Sequence, residues 1–152
     1  MILDAPPQAY LTTFEESDCF YLSGSPSTWT NEVSVYDLDT KQIQAIYEVI
    51  RLRELEENWD SYGSPPLKVE TINKSIALIK NVPMEDLPVP HVIPTADGGI
   101  QFEWGGIRGL EIEVTQNGEI EYLKCENGEP VEESSIERFT QLDSLLRWVS
   151  PV

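Results

Sequence analysis

Apolar and polar residues alternate along the stretch from about residue 100 to residue 124, a pattern typical of β-strands. In the first run, Ile100, Phe102 and Trp104 alternate with polar residues. Two further runs, at about 110–114 and 119–124, show the same period. Because successive side chains on a strand point to opposite faces, these runs predict three strands of an antiparallel β-meander. Glycine-containing turns separate them, at positions 97–99, 105–106 and 117–118.

A helical period precedes the meander. Asp39 or Thr40 is a suitable N-cap for a first helix, which we expect to end near Glu57. Its predicted apolar stripe comprises Ile43, Ile46, Tyr47, Ile50 and Leu55. The spacing of these residues places them on one side of the helix, where they are expected to face the core.

Two more helices are predicted, one before the meander and one after it. The former has Ser64 as its N-cap and Pro65 at the first helical position, and Pro83 stops it. The latter covers residues 134–149. Its apolar positions are Ile136, Phe139, Leu142, Leu145 and Val149.

The N-terminal part of the chain has a different character. Residues 1–18 are rich in proline and polar residues and predict an irregular arm, and residues 19–38 predict a pair of short strands at 19–22 and 33–36. Helices thus precede and follow an antiparallel sheet, which is the α+β pattern. We therefore predict a single domain over residues 1–152, built from this arm and strand pair, two central helices over 39–82, a sheet over 89–124 and a C-terminal helix over 134–149.

The register of the meander decides which side chains share a face. A two-residue turn at positions 105–106 would place Glu111 opposite Ile100 and mix apolar with acidic residues. A five-residue connection over 105–109 keeps one face apolar, and we therefore predict it. By the same argument we predict a three-residue connection over 116–118 rather than the commoner two-residue Asn-Gly turn.

This register gathers glutamates on the face opposite to the apolar one. It places Glu103 opposite Glu111 and Glu113 opposite Glu121, with Glu119 as a further member. Like charges directly opposite one another destabilise a sheet by about 0.2–1 kcal/mol per pair. Three interpretations stay open: a solvated face of an acidic protein, a binding face for a basic partner, and a site for Mg²⁺ or Ca²⁺, which carboxylate oxygens suit.

The chain as a whole is strongly acidic. The chain has 152 residues, with 10 Lys and Arg against 27 Asp and Glu, and its net charge is −17. A chain of this length is expected to bury a core without metal or disulfide staples. Its charge excludes a generally basic nucleic-acid-binding surface and argues against docking on anionic lipid. The acids are spread along the whole chain, so we assign them to the folded surface rather than to a tail.

The sequence also bears on the compartment. The N-terminus lacks the basic region and apolar run of a signal peptide, and no apolar stretch approaches the roughly 18–20 residues of a membrane span. Cys19 and Cys125 are far apart, and two free thiols are favoured over a long-range disulfide. We therefore expect a cytoplasmic protein, with its oligomeric state left open.

The connection between the two central helices, residues 58–66, is unusually aromatic. It contains Trp59 and Tyr62 beside turn-forming residues such as Asp60. If exposed, the two rings would act as anchors in a recognition loop. Alternatively they fill the gap between helices and sheet, while the polar residues cap helix ends.

The same connection carries a resemblance to other proteins. It reads Asn-Trp-Asp-Ser-Tyr-Gly-Ser-Pro-Pro, and residues 90–99 follow as Pro-x-Val-x-Pro-Thr-x-Asp-Gly-Gly. The strands then supply Glu-Trp at 103–104 and Leu-Glu-x-Glu at 110–113. Together these segments resemble a family of small bacterial proteins, over roughly residues 55–123. The resemblance implies a compact domain from a bacterial source and brings no activity, ligand or catalytic residue with it.

Enzyme chemistry finds little support in the sequence. His91 is the only histidine, and no Gly-x-Ser-x-Gly elbow accompanies it, which disfavours a Ser-His-Asp site. We expect His91 to be a partly buried structural residue. Two cysteines and one distant histidine do not suit zinc, and no phosphate-binding loop is present. We therefore predict no catalytic residue, no metal ligand and no cofactor.

The favoured function is a non-enzymatic acidic module that binds a basic protein, because charge complementarity steers association and selects partners. The partner would be a nuclease, with this chain as its antitoxin or inhibitor, or a nucleoprotein complex, with this chain as an accessory subunit. No direct contact with nucleic acid or membrane is expected. The alternative is a divalent-metal-dependent enzyme or metal-binding module that uses the same carboxylates. The predicted partner-binding residues are Glu103, Glu111, Glu113, Glu121, Trp59 and Tyr62.

Overall fold

The structure, a computed structural model, describes residues 38–149, in which two helices precede a five-stranded sheet and a third follows it. The helices are α1, Thr40–Arg51, α2, Val69–Lys80, and α3, Leu142–Val149. The strands are β1, His91–Pro94, β2, Ile100–Trp104, β3, Arg108–Val114, β4, Ile120–Glu126, and β5, Glu129–Ser135. None of the described helices is long and apolar enough to cross a membrane. The predicted arm at residues 1–18 and the predicted strands at 19–22 and 33–36 lie outside the described residues.

The five strands form an antiparallel meander in sequence order, which confirms the predicted α+β class. Both predicted registers are also confirmed. Trp104 pairs with Leu110 across the five-residue connection, and Val114 pairs with Ile120. Within the second connection Gly118 has a φ of 84°, the left-handed conformation that a three-residue loop requires at this position.

Two strands extend the sheet beyond the three predicted from alternation. β1 pairs with β2, and β5 pairs with β4. A two-residue turn, Asn127-Gly128, joins β4 to β5 with φ angles of 53° and 81°, and Asn-Gly is the sequence most typical of such a turn. Every residue of β5 is exposed, so it lacks the apolar alternation on which the prediction relied. The C-terminal helix predicted from residue 134 consequently starts later, because residues 134–135 belong to β5.

Helix α1 begins at the predicted cap and is shorter than predicted. The Asp39 carboxylate accepts a hydrogen bond from the backbone nitrogen of Gln42 at 2.8 Å, and the side-chain oxygen of Gln42 accepts one from the backbone nitrogen of Asp39 at 3.0 Å. This reciprocal capping box satisfies two donors that a helix start otherwise leaves unpaired. The α-helix ends at Arg51 rather than near Glu57, and a 3₁₀ turn, Leu52–Glu54, follows.

The buried side of α1 is rotated from the predicted stripe. Ile43 and Tyr47 are 49% and 62% exposed, whereas Ala45 and Val49 are fully buried. A period of 3.6 residues fits either side of the helix, so the sequence pattern alone does not choose between them. Ile46 of the predicted stripe is buried as predicted, so the shift of the buried side is partial.

Helix α2 begins four residues after the predicted first position, Pro65, and its N-cap residue is Lys68 rather than Ser64. The hydroxyl of Ser64 donates instead to the carboxylate of Asp60 at 2.5 Å, inside the preceding loop. The helix ends at Lys80, ahead of Pro83 as predicted.

The core lies between the apolar face of the sheet and the helices. Its largest fully buried side chains include Trp104 and Phe102 from β2, with Ile112 from β3. The indole nitrogen of Trp104 donates to the carbonyl of Pro88 at 3.1 Å, so the ring is buried without leaving its polar atom unpaired.

Two side chains from the first turn of α1 hold the segment that follows α2. The buried amide of Gln42 donates to the carbonyls of Ile79, Lys80 and Val82 at 3.1, 3.3 and 2.9 Å. The ammonium of Lys41 donates to the carbonyls of Met84, Glu85 and Leu87 at 3.1, 3.1 and 2.7 Å. The last carbonyls of a helix lack intrahelical donors, so α1 supplies the donors that the end of α2 needs.

Replacing Gln42 by leucine should therefore destabilise the fold. Gln42→Leu keeps a similar volume but removes the buried donor that these three carbonyls share, which is expected to lower the free energy of unfolding by about 1–3 kcal/mol. Gln44→Leu, at an exposed position of the same helix, is the matched control and should stay within about 0.5 kcal/mol of wild type. Urea denaturation measures both, and equal midpoints for the two variants would contradict the assignment.

Candidate partner-binding face

The face of the sheet turned away from the helices carries two rows of side chains, one position from each strand in each row. The first row is His91, Glu103, Glu111, Leu123 and Glu133. The second row is Ile93, Gln101, Glu113, Glu121 and Ser135. We call these ten positions the acidic face. Five of them are glutamates and none is lysine or arginine.

The four glutamates predicted from the sequence all lie on this face. Glu103 is directly opposite Glu111, and Glu113 is directly opposite Glu121, as the register predicted. Glu119 lies just before β4, outside the two rows.

The fifth glutamate of the face, Glu133, was missed because β5 was missed. The Asn127-Gly128 turn signals a returning strand, but regular pairing from this turn would place Glu132 opposite Leu123. A bulge in β5 shifts the register by one residue and brings Glu133 to that position instead.

A glutamine holds the most crowded pair of carboxylates together. The amide nitrogen of Gln101 donates to Oε1 of Glu103 at 2.7 Å and to Oε2 of Glu111 at 3.2 Å. Burial, and then the nearby charge of Glu103, raise the pKa of Glu111 above its ordinary value. The ionised form of Glu111 is therefore unfavourable here, and only part of that cost is offset by the Gln101 amide.

The carboxylate of Glu113 is fixed by the turn between β1 and β2. The hydroxyl of Thr95 donates to Oε1 of Glu113 at 3.0 Å and accepts from the Gly99 nitrogen at 2.9 Å. A Cβ atom on Gly99 would lie 2.5 Å from that same carboxylate oxygen. Glycine at position 99 is thus what allows the carboxylate to approach the turn.

The cations of the sheet lie on its other face. Arg108 and Lys124 are on the helix side, where their charged groups lie 4.7 Å and 5.4 Å from the centre of the Trp148 ring. The Lys124 ammonium also pairs with Glu132 at 3.1 Å. The two faces of the sheet therefore differ in charge as well as in polarity, and the acidic face has no lysine or arginine among its ten positions.

In the aromatic connection, residues 58–66, one ring is structural and the other is exposed. Trp59 is half-buried, and its indole nitrogen donates to the carbonyl of Pro65 at 3.2 Å, so it is a structural residue of the loop. Tyr62 is 93% exposed. The Asp60 carboxylate accepts from the Ser64 hydroxyl and from the Tyr62 nitrogen, and these hydrogen bonds lower its pKa. A loop that is hydrogen-bonded to itself therefore presents Tyr62 to solvent.

This loop packs at the same end of the sheet as Glu113. A Cβ atom on Gly98 would lie 3.3 Å from Cγ of Pro65, so the loop and the turn between β1 and β2 are in contact. The next residue, Gly99, lies beside the carboxylate of Glu113. The loop that carries Tyr62 thus contacts, through Pro65, the turn that lies beside Glu113, although Tyr62 and Glu113 are 51 positions apart in sequence.

His91 and Cys125 are the remaining candidate groups. His91 is exposed at the sheet edge opposite Glu103, rather than partly buried as we expected. Cys125 is a half-buried free thiol. Over residues 38–149, no group of three or more His, Cys, Asp or Glu side chains is placed so that it could hold a metal ion.

Removing the charge of Glu111 should stabilise the protein at neutral pH. The raised pKa means that the folded chain binds this proton more tightly than the unfolded chain, so ionisation above that pKa opposes folding. Glu111→Gln is expected to raise the free energy of unfolding at pH 7 by about 0.2–1 kcal/mol. The gain should disappear below about pH 4, where the glutamate is protonated in both states.

Denaturation at both pH values measures this difference. Glu57→Gln, at an exposed position after α1, is the control and should change stability at neither pH. A gain for Glu111→Gln that persists in acid would show that repulsion is not its source.

Adding a methyl group at Gly99 should disrupt the Glu113 site. Gly99→Ala brings its Cβ to 2.8 Å from both the Thr95 hydroxyl and the Val114 carbonyl, closer than real contacts allow. We expect a loss of about 1–3 kcal/mol in the free energy of unfolding. Gly105→Ala is the control, since nothing lies within 4 Å of its Cβ, and thermal unfolding of the two variants should differ accordingly.

No family model, curated protein or solved structure matches this chain. What the described residues offer is a carboxylate-lined sheet face with a half-buried leucine within it and an exposed tyrosine at one end. Such an arrangement is suited to binding a cationic surface.

Proposed function

We propose that this protein is a non-enzymatic interaction module that binds a basic protein through its acidic face. The observation that carries the proposal is the separation of charge across the sheet. Five glutamates lie on the acidic face without a lysine or arginine, while Arg108 and Lys124 are held on the helix side. A sheet face that only had to be exposed to solvent could carry both signs of charge interspersed, as the surfaces of soluble proteins usually do.

The electrostatics of the face supports a cationic partner. Burial, and then the nearby charge of Glu103, raise the pKa of Glu111 and so disfavour its ionised form. A guanidinium or ammonium group placed beside this pair would offset the repulsion, so the free energy of the face is lower in a complex than alone. Arginine fits best, because its planar fork bridges two carboxylate oxygens.

The shape of the face fits a protein rather than a small cation. The two rows span five strands, and neighbouring strands lie about 4.8 Å apart, so the carboxylates cover a broad surface. Leu123 lies between Glu111 and Glu133 and offers an apolar contact within that surface. Tyr62, exposed at one end, is suited to act as an anchor at the rim.

Two kinds of partner have a cationic surface that an acidic protein would bind. One is a nuclease, whose nucleic-acid site this chain would occupy as an antitoxin or inhibitor. The other is a nucleoprotein complex, in which the chain would be an accessory subunit. We place the encounter in the cytoplasm, where a free thiol such as that of Cys125 is ordinary.

Charge reversal on the acidic face tests the proposal. The partner is first isolated with the tagged protein from the native host at low salt and identified by mass spectrometry. Glu111→Lys with Glu113→Lys should then reduce its affinity by at least about 100-fold, because two attractive contacts become repulsive. Isothermal titration at several salt concentrations measures this loss and should show that wild-type binding weakens as salt rises.

The control keeps the change of net charge and moves it elsewhere. Glu56→Lys with Glu57→Lys alters two exposed glutamates that follow α1 and lie outside the acidic face. Its affinity should stay within a few fold of wild type, the effect expected from long-range steering alone. Equal losses for the two double variants, or none for either, would rule out the acidic face as the binding surface.

A further inference from the structure

The two edges of the sheet are unequally protected. β1 has only four residues and ends at Pro94, features that keep natural sheet edges from pairing with other chains. β5 has seven residues, all of them exposed. Within residues 38–149 the sheet ends at β5, so the outer side of this strand is the open edge of the described sheet.

The ladder between β4 and β5 shows which backbone groups point outwards. The Ile136 nitrogen donates to the Ile120 carbonyl at 2.8 Å, which makes these two residues a hydrogen-bonded pair. In an antiparallel ladder such pairs alternate with pairs whose N–H and C=O groups point away from the partner strand. Glu133 and Ser135 are therefore the residues whose backbone donors and acceptors face outwards from β5.

A bulge restricts this open stretch to one end of β5. Lys124 pairs with Glu132 and Cys125 pairs with Pro130, so Val131 is an extra residue in β5. Pro130 has no N–H to offer, and bulges interrupt regular pairing. The accessible ladder thus runs over residues 132–135, next to the point where the chain turns towards α3.

Charge decides what kind of strand fits there. β5 carries Glu129, Glu132 and Glu133. A second copy of β5 laid alongside would bring its own glutamates close to these, and like charges on neighbouring strands are destabilising. Residues 1–37 of this chain contain six acids and no lysine or arginine, so they are an unfavourable occupant on the same ground. A strand with alternating basic residues is attracted instead.

We propose that an extended basic segment of the partner protein adds to the sheet as a sixth strand along residues 132–135. Its backbone would pair with Glu133 and Ser135, and its lysine or arginine side chains on one side would extend over the acidic face beside Glu133. This inference rests on the proposed function for the existence of a basic partner and adds how that partner is held. Strand addition of this kind supplies affinity through backbone hydrogen bonds and specificity through alternate side chains.

Hydrogen exchange on the full-length chain tests the inference with two synthetic probes. One is an acetylated heptapeptide that alternates lysine with threonine, and the other alternates lysine with proline, which has the same charge but cannot pair as a strand. Binding of the lysine-threonine peptide should slow exchange of the Glu133 and Ser135 amides by at least about tenfold, and the lysine-proline peptide should leave it unchanged.

A pair of variants at Ser135 gives a second readout. Ser135→Pro removes an outward N–H while the β4 ladder is kept, and it should weaken binding of the lysine-threonine peptide by about tenfold. Ser135→Ala keeps the N–H and should bind within about twofold of wild type. Circular dichroism checks that both variants fold, and if Ser135→Pro does not, the exchange experiment on the wild-type chain decides.

Several results would overturn strand addition. They are equal effects of the two peptides, equal binding by the two Ser135 variants, and amides of Glu133 and Ser135 that are already protected in the chain alone. The last result would assign the edge to residues 1–37 if protection is independent of concentration, and to a second copy if it is not. Loss of partner binding in Glu111→Lys with Glu113→Lys, together with full binding by Ser135→Pro, would remove the sixth strand and leave the proposed function standing.

Discussion

The register of β2, β3 and β4 is the constraint on which both the core and the acidic face depend. Six apolar side chains of β2 and β3 alternate with polar ones and are at most 2% exposed. Burial of each such side chain contributes about 1.5–3 kcal/mol, whereas a pair of like charges facing one another costs about 0.2–1 kcal/mol. Burial therefore wins, and the glutamates are forced together on the opposite face.

Neighbouring residues moderate this repulsion without neutralising it. Gln101 bridges Glu103 and Glu111, and Thr95 holds Glu113 at a turn where only glycine fits at position 99. Each contact fixes a carboxylate in place, and none brings a positive charge to the face. Carboxylates fixed in this way would need little further ordering on binding the cationic partner that we propose.

The acidic face includes Glu133 and Ser135 of β5, so it reaches the open edge of the described sheet. Tyr62 lies in the loop that contacts the turn between β1 and β2, on the other side of the sheet from β5. A basic partner that approaches β5 meets ordered carboxylates on the face and unpaired backbone groups at the edge. Charge and backbone pairing would then act together, the former in steering and selection and the latter in fixing the direction of the bound segment. Gln42 and Lys41 hold the segment after α2 through hydrogen bonds to its carbonyls. That segment leads into β1, so these contacts lie on the helix side of the same sheet.

The amino-acid sequence by itself determined the central strands and their register. It also determined that Glu103, Glu111, Glu113 and Glu121 share one face of the sheet. Alternation with a buried side leaves no freedom in these respects, because a shift by one residue would bury the carboxylates. The Asp39 cap of α1 was likewise readable, since its side chain bonds locally to Gln42.

Only the tertiary structure decided the rest. Contacts between segments distant in sequence decide which face α1 buries and where α2 starts. They also decide that Trp59 is half-buried while Tyr62 is exposed. β5 is exposed on both sides, so no burial pattern marks it, and its pairing with β4 is what makes it a strand. Local patterns encode which side of an element is apolar, but which neighbour covers that side is settled by the packing of the whole chain.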